Sequence, residues 1–337
     1  MKKLWSVILC SLLLLLAACG SGTNETNGNN SDSGKGEEKT VKVGIIQLVE
    51  HPSLDGAREG FVAALKDAGY EEGKNLEIDY QNAQGDVNNN MSIAQNFVAD
   101  DKDVILAIAT SSAQAVAQAT KDIPILFTAI TDPLGASLVE SLEKPGGNVT
   151  GTSDTHPEAI KKTIGAIKEF VPEAKKVGII YNSGEPNSVV NVQKAKEAIE
   201  ALGLEAVETT VTASSEVKQA AESLIGRADV FYIPKDNMVV SALESVITVA
   251  NEKKIPTFVG EGDSVKRGTF ASYGFEYHDL GYTTGKMAVE ILKGKNPSEI
   301  PVGFPENLEL FINKKVAEQE GITLTEEMLK DARIVGE

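Results

Sequence analysis

Mostly polar residues follow the predicted strands of this chain, at the points where each strand ends. In open α/β sheets, ligands bind beyond the carboxyl ends of the strands. The residues expected to line a ligand site on this basis are Gln47, Glu50, His51, Ser111, Ser112, Ala129, Thr131, Asp132, Asp154, Glu185, Asn187, Asp236, Asn237 and Glu261. Any one of them could instead be a helix N-cap, because Ser, Thr, Asp and Asn are favoured there. As a set, they predict one polar cleft.

The residue types in this set suit a ligand that carries both charges. Ser111 and Ser112 precede a predicted helix, whose free N–H groups and positive dipole end favour an anion. With Thr131, they are the residues expected to hold a ligand carboxylate. Four acids could meet a ligand ammonium: Asp132, Asp154, Asp236 and Glu261. An amino acid zwitterion needs both kinds of partner, so the loops fit it.

Motifs for catalysis are incomplete. Residues 69–74 and 281–286 resemble a phosphate-binding loop, but each is one residue short between its glycines and lacks the following Ser or Thr. His51, His156 and His278 lie far apart, without the spacing of metal ligands. We therefore predict a binding protein and not an enzyme, with no metal site and no cofactor.

A long internal repeat predicts the elements that position these residues. Val-Gly-Ile-Ile at 43–46 returns at 177–180, and Ile123-Pro124 returns as Ile255-Pro256. Each copy alternates apolar strands with helices, which indicates a parallel sheet with right-handed crossovers. The predicted fold is therefore α/β, with two doubly wound parallel-sheet lobes. Clefts between such lobes are favoured sites for small molecules.

The pattern also sets expected boundaries. Strands are expected at 41–48, 76–80, 104–109, 125–130, 177–181, 206–211, 230–233 and 257–259, and helices at 53–68, 113–120, 191–202 and 282–293. The first lobe should comprise residues 41–152 and 278–306, and the second residues 153–277 and 307–337. Three crossings, near 147–151, 271–281 and 308–313, should form a hinge that absorbs lobe closure.

The first residues predict export and a lipid anchor. Residues 1–18 combine a basic head with an apolar run too short to span a bilayer, which is typical of a signal peptide. Leu16-Ala17-Ala18-Cys19 resembles the lipobox of bacterial lipoproteins, which implies lipidation of Cys19. An ordinary signal peptide is the alternative. Residues 19–40 are too polar to form a core and predict a flexible tether at the outer face of the membrane.

The net charge argues against some classes of binding partner, and the cysteine content argues against a disulfide. The formal net charge is −17, which argues against nucleic acid or an anionic membrane surface as the partner. Cys10 and Cys19 are the only cysteines, and Cys10 lies in the predicted signal peptide. No disulfide is therefore expected in the mature chain, and its folding must rest on hydrophobic cores.

Several loop motifs together resemble one family. They are Glu50-His51-Pro52-Ser53-Leu54-Asp55, Thr131-Asp132-Pro133-Leu134-Gly135-Ala136, Gly151-Thr152-Ser153-Asp154, Glu185-Pro186-Asn187-Ser188, Pro234-Lys235-Asp236-Asn237 and Tyr273-Gly274. These motifs resemble the substrate-binding lipoproteins of ABC importers of the TrpX type, from about residue 41 to the end. The resemblance implies a type I periplasmic-binding-protein fold, a monomer, capture of an amino acid that is often aromatic, and delivery to a membrane permease.

Two points stay open at this stage. Relatives often have Thr where this chain has Lys235, and the loops contain no obvious aromatic box. Candidates to flank a ligand ring are His156, Tyr181, Tyr273 and Phe275, although each could serve core or hinge packing instead. A ligand sensor that presents its closed form to a receptor is the alternative function.

Overall fold

The computed structural model describes residues 40–336. The predicted signal peptide, Cys19 and nearly all of the predicted tether lie outside these residues. Within the described range, no helix is both long and apolar enough to cross a membrane.

The described strands form two sheets. The strands are β1 (Val41–Gln47), β2 (Leu76–Asn82), β3 (Val104–Ile108), β4 (Ile125–Ile130), β5 (Val149–Ser153), β6 (Lys176–Tyr181), β7 (Glu205–Thr210), β8 (Val230–Ile233), β9 (Thr257–Val259), β10 (Ala271–Gly274), β11 (Glu309–Asn313) and β12 (Ala332–Val335). The first sheet has the order β2-β1-β3-β4-β5, and the second has the order β12-β11-β10-β9-β8-β6-β7. The shared order β2-β1-β3-β4 and β7-β6-β8-β9 confirms the duplication that the repeat predicts.

Helices connect and cover these strands. The α-helices are α1 (Pro52–Asp67), α2 (Val87–Ala99), α3 (Thr110–Ala119), α4 (Ala159–Phe170), α5 (Pro186–Ala201), α6 (Val217–Ser223), α7 (Asn237–Ser241), α8 (Leu243–Lys253), α9 (Gly262–Arg267), α10 (Tyr277–Leu292), α11 (Lys314–Glu320) and α12 (Glu326–Leu329). α1 begins one residue earlier than predicted, and the other three predicted helices begin three to five residues earlier. Thr110 to Ser112 form the first turn of α3, Asn187 lies in the first turn of α5, and α10 begins at Tyr277.

Burial explains why the central strands form. Every residue of β3, β4 and β5 is buried, as expected of parallel strands covered on both faces. In α1, Leu54, Ala57, Phe61 and Leu65 recur at helix spacing and pack into the core of the first lobe. The core therefore fixes the carboxyl ends of β1, β3 and β4 beside one another.

The second sheet departs from the predicted parallel arrangement at one edge. β10 pairs with β11 in the antiparallel sense, and β11 pairs with the unpredicted β12 in parallel. Residues 271–281 and 308–313 were predicted as crossings between lobes. Instead, β10 and β11 lie within the second sheet, because Ala271 of β10 and Phe311 and Ile312 of β11 complete its core.

The chain nevertheless passes between the lobes three times. It leaves the first sheet after β5, returns between β10 and α10, and leaves again before β11. α10 packs along α1 of the first lobe. Before the last passage, Gly303 pairs with Thr152 beside β5. These three connections are the segments in which a hinge would be expected.

A buried carboxyl group in the second lobe predicts a pH-dependent stability. Thr257 donates to both oxygens of Glu320, from its N–H at 3.1 Å and its hydroxyl at 2.8 Å. Burial raises the pKa of Glu320 to about 8. The folded protein therefore holds this proton more tightly than the unfolded chain, and the stabilisation is lost as the pH rises from about 4.5 to about 8.

Glu320→Gln removes this titration and keeps the shape. We expect wild type to lose on the order of a few kcal/mol of unfolding free energy relative to the variant between pH 5 and pH 8. Urea unfolding of both proteins at several pH values measures this difference. Parallel stability curves would contradict the prediction.

Candidate functional site

A closed cavity lies between the two lobes, at the carboxyl ends of their strands. We call it the inner cavity; its lining is His51, Leu54, Ala129, Thr131, Asp154, Asn187, Lys235, Asp236, Asn237, Val240, Glu261 and Tyr277. Its free volume is about 10 Å³, which is close to the space of one water molecule. Eight of the fourteen residues predicted from strand ends therefore meet here, from both lobes.

Asp154 is the best-connected acid of the inner cavity. It directly follows β5 of the first sheet, and its main-chain N–H donates to the carbonyl of Ile130. Asp154 and Tyr277 therefore lie with the first lobe, although the predicted boundary placed residues 153–277 in the second. The Tyr277 hydroxyl donates to its Oδ2 at 2.8 Å, and the Thr131 hydroxyl donates to its Oδ1 at 3.2 Å. The carboxylate is thus buried and oriented by two hydroxyl groups of the first lobe.

Lys235 of the second lobe reaches across to this acid. Its Nζ donates to the main-chain oxygen of Asp154 at 2.5 Å and lies 3.5 Å from Asp154 Oδ1. The ammonium also lies 5.6 Å from the centre of the Phe275 ring. Both partners of this ion pair are almost fully buried, with side-chain exposures of 7% and 4%. An ion pair between the lobes therefore lies in the middle of the site.

Two further acids of the cavity hold their protons more tightly than usual. Burial raises the pKa of Glu261, and the Ser264 hydroxyl donates to it at 2.6 Å. Burial and the nearby Glu185 carboxylate raise the pKa of Asp236 to about 7. Lys235 is the cation in the lining of this cavity, beside three acids. A cationic ligand group beside these acids would favour their charged forms, so the lining suits a ligand with a positive charge.

The first lobe contributes a neutral histidine. Burial lowers the pKa of His51 to about 4, so its ring is uncharged at neutral pH. Its Nε2 lies 3.4 Å from Asn237 Oδ1 of the second lobe. Its Nδ1 and the Asn187 Oδ1 are buried without a hydrogen bond to the described residues. Because buried polar groups are nearly always paired, these two atoms indicate a place for a polar ligand group.

Strained backbone marks the ends of two neighbouring strands. Ala109 after β3 has φ 77°, and Ala129 in β4 has φ 58°. The register between β4 and β5 shifts between Phe127 and Ile130. Positive φ costs free energy in residues other than glycine, and such strain gathers at ligand sites. The fold maintains this strain where the first lobe faces the cleft.

An open groove lies next to the inner cavity. We call it the outer groove; it is lined by Leu48, Val49, Gln84, Gly85, Asp86, Val87, Ser111, Asn182, Ser183, Gly184, Glu185, Thr212, Ala213, Ser214, Asn237, Met238 and Ser241. Its volume is about 690 Å³, within the usual range for small-molecule sites. Asn237 lines both spaces, so the two are neighbours.

Several predicted site residues have local bonding partners. Asp236 accepts from the N–H of Val239 and caps α7, while Glu185 accepts from the N–H of Asn237 and Met238 in the same turn. These two acids stabilise the start of α7. Glu185 lines the outer groove and Asp236 the inner cavity.

Four predicted residues lie outside the lining of both spaces. Gln47 donates to Asp55 within the first lobe, and Glu50 is exposed. The Ser112 hydroxyl is buried and donates to Asn90 Oδ1. Asp132 accepts from the N–H of Gly135 in a turn.

The structure adds three residues that were absent from the predicted set. Lys235 follows a strand end, but the sequence patterns did not assign it a role. Tyr277 follows β10, a strand placed in a crossing, so the strand-end rule was not applied there. Asn191 lies one turn after Asn187 in α5 and donates to the Thr131 hydroxyl at 3.1 Å, which joins the lobes.

Only one of the aromatic candidates lies beside the cavity. Phe275 stacks on Tyr277, with ring centres 5.2 Å apart. The Tyr181 hydroxyl instead donates to Glu208 on the second lobe, and Tyr273 lies under Lys162. His156 Nδ1 accepts from the N–H of Glu158.

Two similar α/β lobes that enclose a buried polar cavity define the class of solute-binding proteins. Comparison with a family model confirms this class. The model described as ABC transporter substrate binding protein matches residues 42–335, and the chain belongs to this family. Its members bind substrates and are not classed as enzymes. More distant solute-binding proteins share the type I fold.

Named relatives support the assignment. A tyrosine-binding protein of Clostridioides difficile is 47% identical over 93% of this chain and 90% of its own length. An ABC domain from Streptococcus pneumonia solved with L-Trp is 37% identical, with a TM-score of 0.84 over 88% of this chain and 100% of that one.

A third relative bears on the arrangement of the lobes. It is a substrate-binding protein with adhesive properties from Clostridium difficile, solved in a ligand-free, open form. It is 44% identical over 88% of this chain and 99% of its own, but its TM-score is only 0.66. Because the lobes described here are joined by His51–Asn237, Thr131–Asn191 and Asp154–Lys235 contacts, they adopt a closed arrangement.

Proposed function

We propose that this protein captures an aromatic amino acid, such as tyrosine or tryptophan, in the cleft between its lobes and delivers it to the permease of an ABC importer. Family membership supports the transport role, and the ligands named for two relatives support the ligand class. The observation that carries the proposal is the buried Asp154 carboxylate, oriented by Thr131 and Tyr277 within a cavity that two further acids line.

The two spaces suit the two ends of such a ligand. The ammonium enters the inner cavity and binds Asp154, with Glu261 nearby. The ring lies in the outer groove against Leu48, Val49 and Met238. Ser111, which also lines the groove at the start of α3, binds the carboxylate together with the helix N-terminus.

Calorimetry on the exported domain tests the proposal. Residues 40–337 are titrated with L-tyrosine, L-tryptophan and L-phenylalanine, and with L-leucine and L-lysine for comparison. At least one aromatic amino acid should bind more tightly than leucine or lysine. A folded protein that gives no binding with any aromatic amino acid would refute the ligand class and leave the family assignment intact.

Membrane attachment is the second part of the proposal. As a substrate-binding protein of an importer, the protein works outside the cytoplasm. We propose that cleavage before Cys19 and lipidation of that residue hold a monomer at the outer face of the membrane, with residues 20–40 as the tether.

Cys19→Ala is expected to move the protein out of the membrane fraction. A single modified residue provides the anchor, so its loss leaves the polar tether free in solution. Cell fractionation with immunoblotting measures the distribution, and Cys10→Ala is the matched control, since position 10 lies in the cleaved segment. Unchanged membrane association of Cys19→Ala would place the anchor elsewhere.

A further inference from the structure

The Lys235 ammonium lies where a ligand ammonium would bind. The Asp154 carboxylate, the Asp154 main-chain oxygen and the Phe275 ring surround it, and we call this set the cation site. A carboxylate, a carbonyl oxygen and an aromatic face are the groups that bind an ammonium in proteins. The chain thus fills its own cation site with a side chain of the opposite lobe.

The inner cavity is too small to hold the Lys235 ammonium and a ligand ammonium at the same time. The free volume there is about 10 Å³, so a ligand ammonium cannot lie beside that of Lys235. Thr131 and Tyr277 donate to the Asp154 carboxylate from the first lobe, so these two hydrogen bonds do not involve Lys235. A ligand that carries an amine must therefore displace Lys235, while a ligand without an amine can leave the ion pair in place.

We propose that Lys235 is an internal competitor for the ligand's ammonium and determines the selectivity between ligands with and without an amine. The inference rests on the proposed function and deepens it. Lys235 weakens the binding of an amino acid, because part of the interaction with Asp154 replaces an existing ion pair. Lys235 strengthens the binding of the same ligand without its amine, because Asp154 then stays paired with the Lys235 ammonium in the buried site.

The same ion pair affects lobe closure without ligand. Lys235 belongs to the second lobe, whereas Asp154 bonds to Ile130 of the first lobe. A contact made only in the closed arrangement shifts the equilibrium towards that arrangement. Ligand-free wild type should therefore be closed more often than a variant that lacks the Lys235 ammonium.

Lys235→Met tests both consequences, because Met keeps an unbranched apolar stem and removes the charge. Calorimetry measures the Kd of L-tyrosine and of 3-(4-hydroxyphenyl)propanoate, which lacks the amine. The ratio of the acid's Kd to tyrosine's Kd should rise at least tenfold in the variant, with tyrosine bound more tightly and the acid more weakly. X-ray scattering of the ligand-free proteins should give a larger radius of gyration for the variant.

The matched control is Lys196→Met. It breaks the ion pair with Glu208 on the same lobe but away from the cleft, and should change neither readout. Circular dichroism checks folding, and Lys235→Gln repeats the test if the Met variant does not fold. An unchanged Kd ratio, weaker tyrosine binding or an unchanged radius of gyration would overturn the inference. If wild type does not bind tyrosine, its best aromatic ligand and the amine-free analogue of that ligand replace the two probes. If wild type binds no aromatic amino acid, the proposed ligand class fails, and the scattering comparison alone decides the role of Lys235.

Discussion

Asp154→Asn is expected to weaken the binding of an aromatic amino acid more than any other single change in the cleft. The variant keeps the shape of the side chain but removes the charge that faces the ligand ammonium. Loss of one partner of a buried charge pair costs roughly 2–5 kcal/mol, which corresponds to a roughly 30-fold to several thousandfold rise in Kd. Calorimetry with the best aromatic ligand of wild type measures this loss.

Closure should fail in the same variant. A ligand shifts the lobes only by its differential affinity for the closed arrangement. Without the Asp154 charge, that difference falls, so a ligand concentration that compacts wild type in X-ray scattering should leave the variant unchanged.

Asp132→Asn is the matched control for this prediction. Asp132 also follows β4 in the first lobe, but its carboxylate accepts from the N–H of Gly135 in a turn outside the cavity. It should bind and close like wild type. If Asp154→Asn does so too, Asp154 serves to orient the end of β5, and the ammonium partner must be sought at Glu261 or Asp236.

The fold could be predicted from the sequence because two signals agree. Apolar runs such as Val104–Ile108 are buried on both faces, and the repeated Val-Gly-Ile-Ile marks the same strand in each lobe. The antiparallel edge of β10 and β11 could not be predicted in this way. A short apolar segment has the same pattern whether its strand pairs in the parallel or the antiparallel sense. Tertiary packing therefore decides which sheet the strand joins and in which sense it pairs.

The site could be predicted in part, for a similar reason. Parallel strands bring their carboxyl ends together, so the strand-end rule assembles Asp154, Thr131 and Asn187 without a structure. The rule does not separate a cavity-lining acid from a helix or turn cap, and Asp132 and Ser112 have local partners instead. The Asp132→Asn variant tests the assignment of Asp132 to ligand binding, and that of Ser112 stays a prediction.

The residues that the sequence patterns missed act across the two lobes. Lys235 and Asn191 make their contacts with Asp154 and Thr131 only because the lobes meet. Contacts of this kind leave no periodicity or spacing in the chain. Tyr277 differs, because a correct boundary for β10 would have placed it at a strand end.

The second incomplete phosphate-loop motif has a structural explanation in helix packing. Gly281 and Gly285 lie one turn apart in α10 and face α1, where Gly60 faces α10 in return. A side chain at these positions would meet backbone of the other helix, so the glycines permit close approach of the two helices. The motif thus belongs to the core of the first lobe.

Gly281→Ala is expected to destabilise the protein strongly. The added Cβ would lie 1.8 Å from the main-chain oxygen of Ala57, and backbone of a buried helix cannot move aside as a side chain can. Overpacking of a core typically costs roughly 1–3 kcal/mol, and we expect the upper end of that range or more. Thermal unfolding should show a decrease in Tm of roughly 6–12 °C.

Gly165→Ala is the matched control, because Gly165 lies within α4 and an added Cβ there meets no atom within 4 Å. Ala in an open helical position stabilises by roughly 0.5–1 kcal/mol relative to Gly, so this variant should unfold at the wild-type temperature or slightly above. Equal Tm values for the two variants would show that α1 and α10 can move apart to accommodate the added Cβ without a loss of unfolding free energy. In that case the close packing of the two helices would not stabilise the first lobe, and Tyr277 at the start of α10 would be positioned by Phe275 and Asp154 instead.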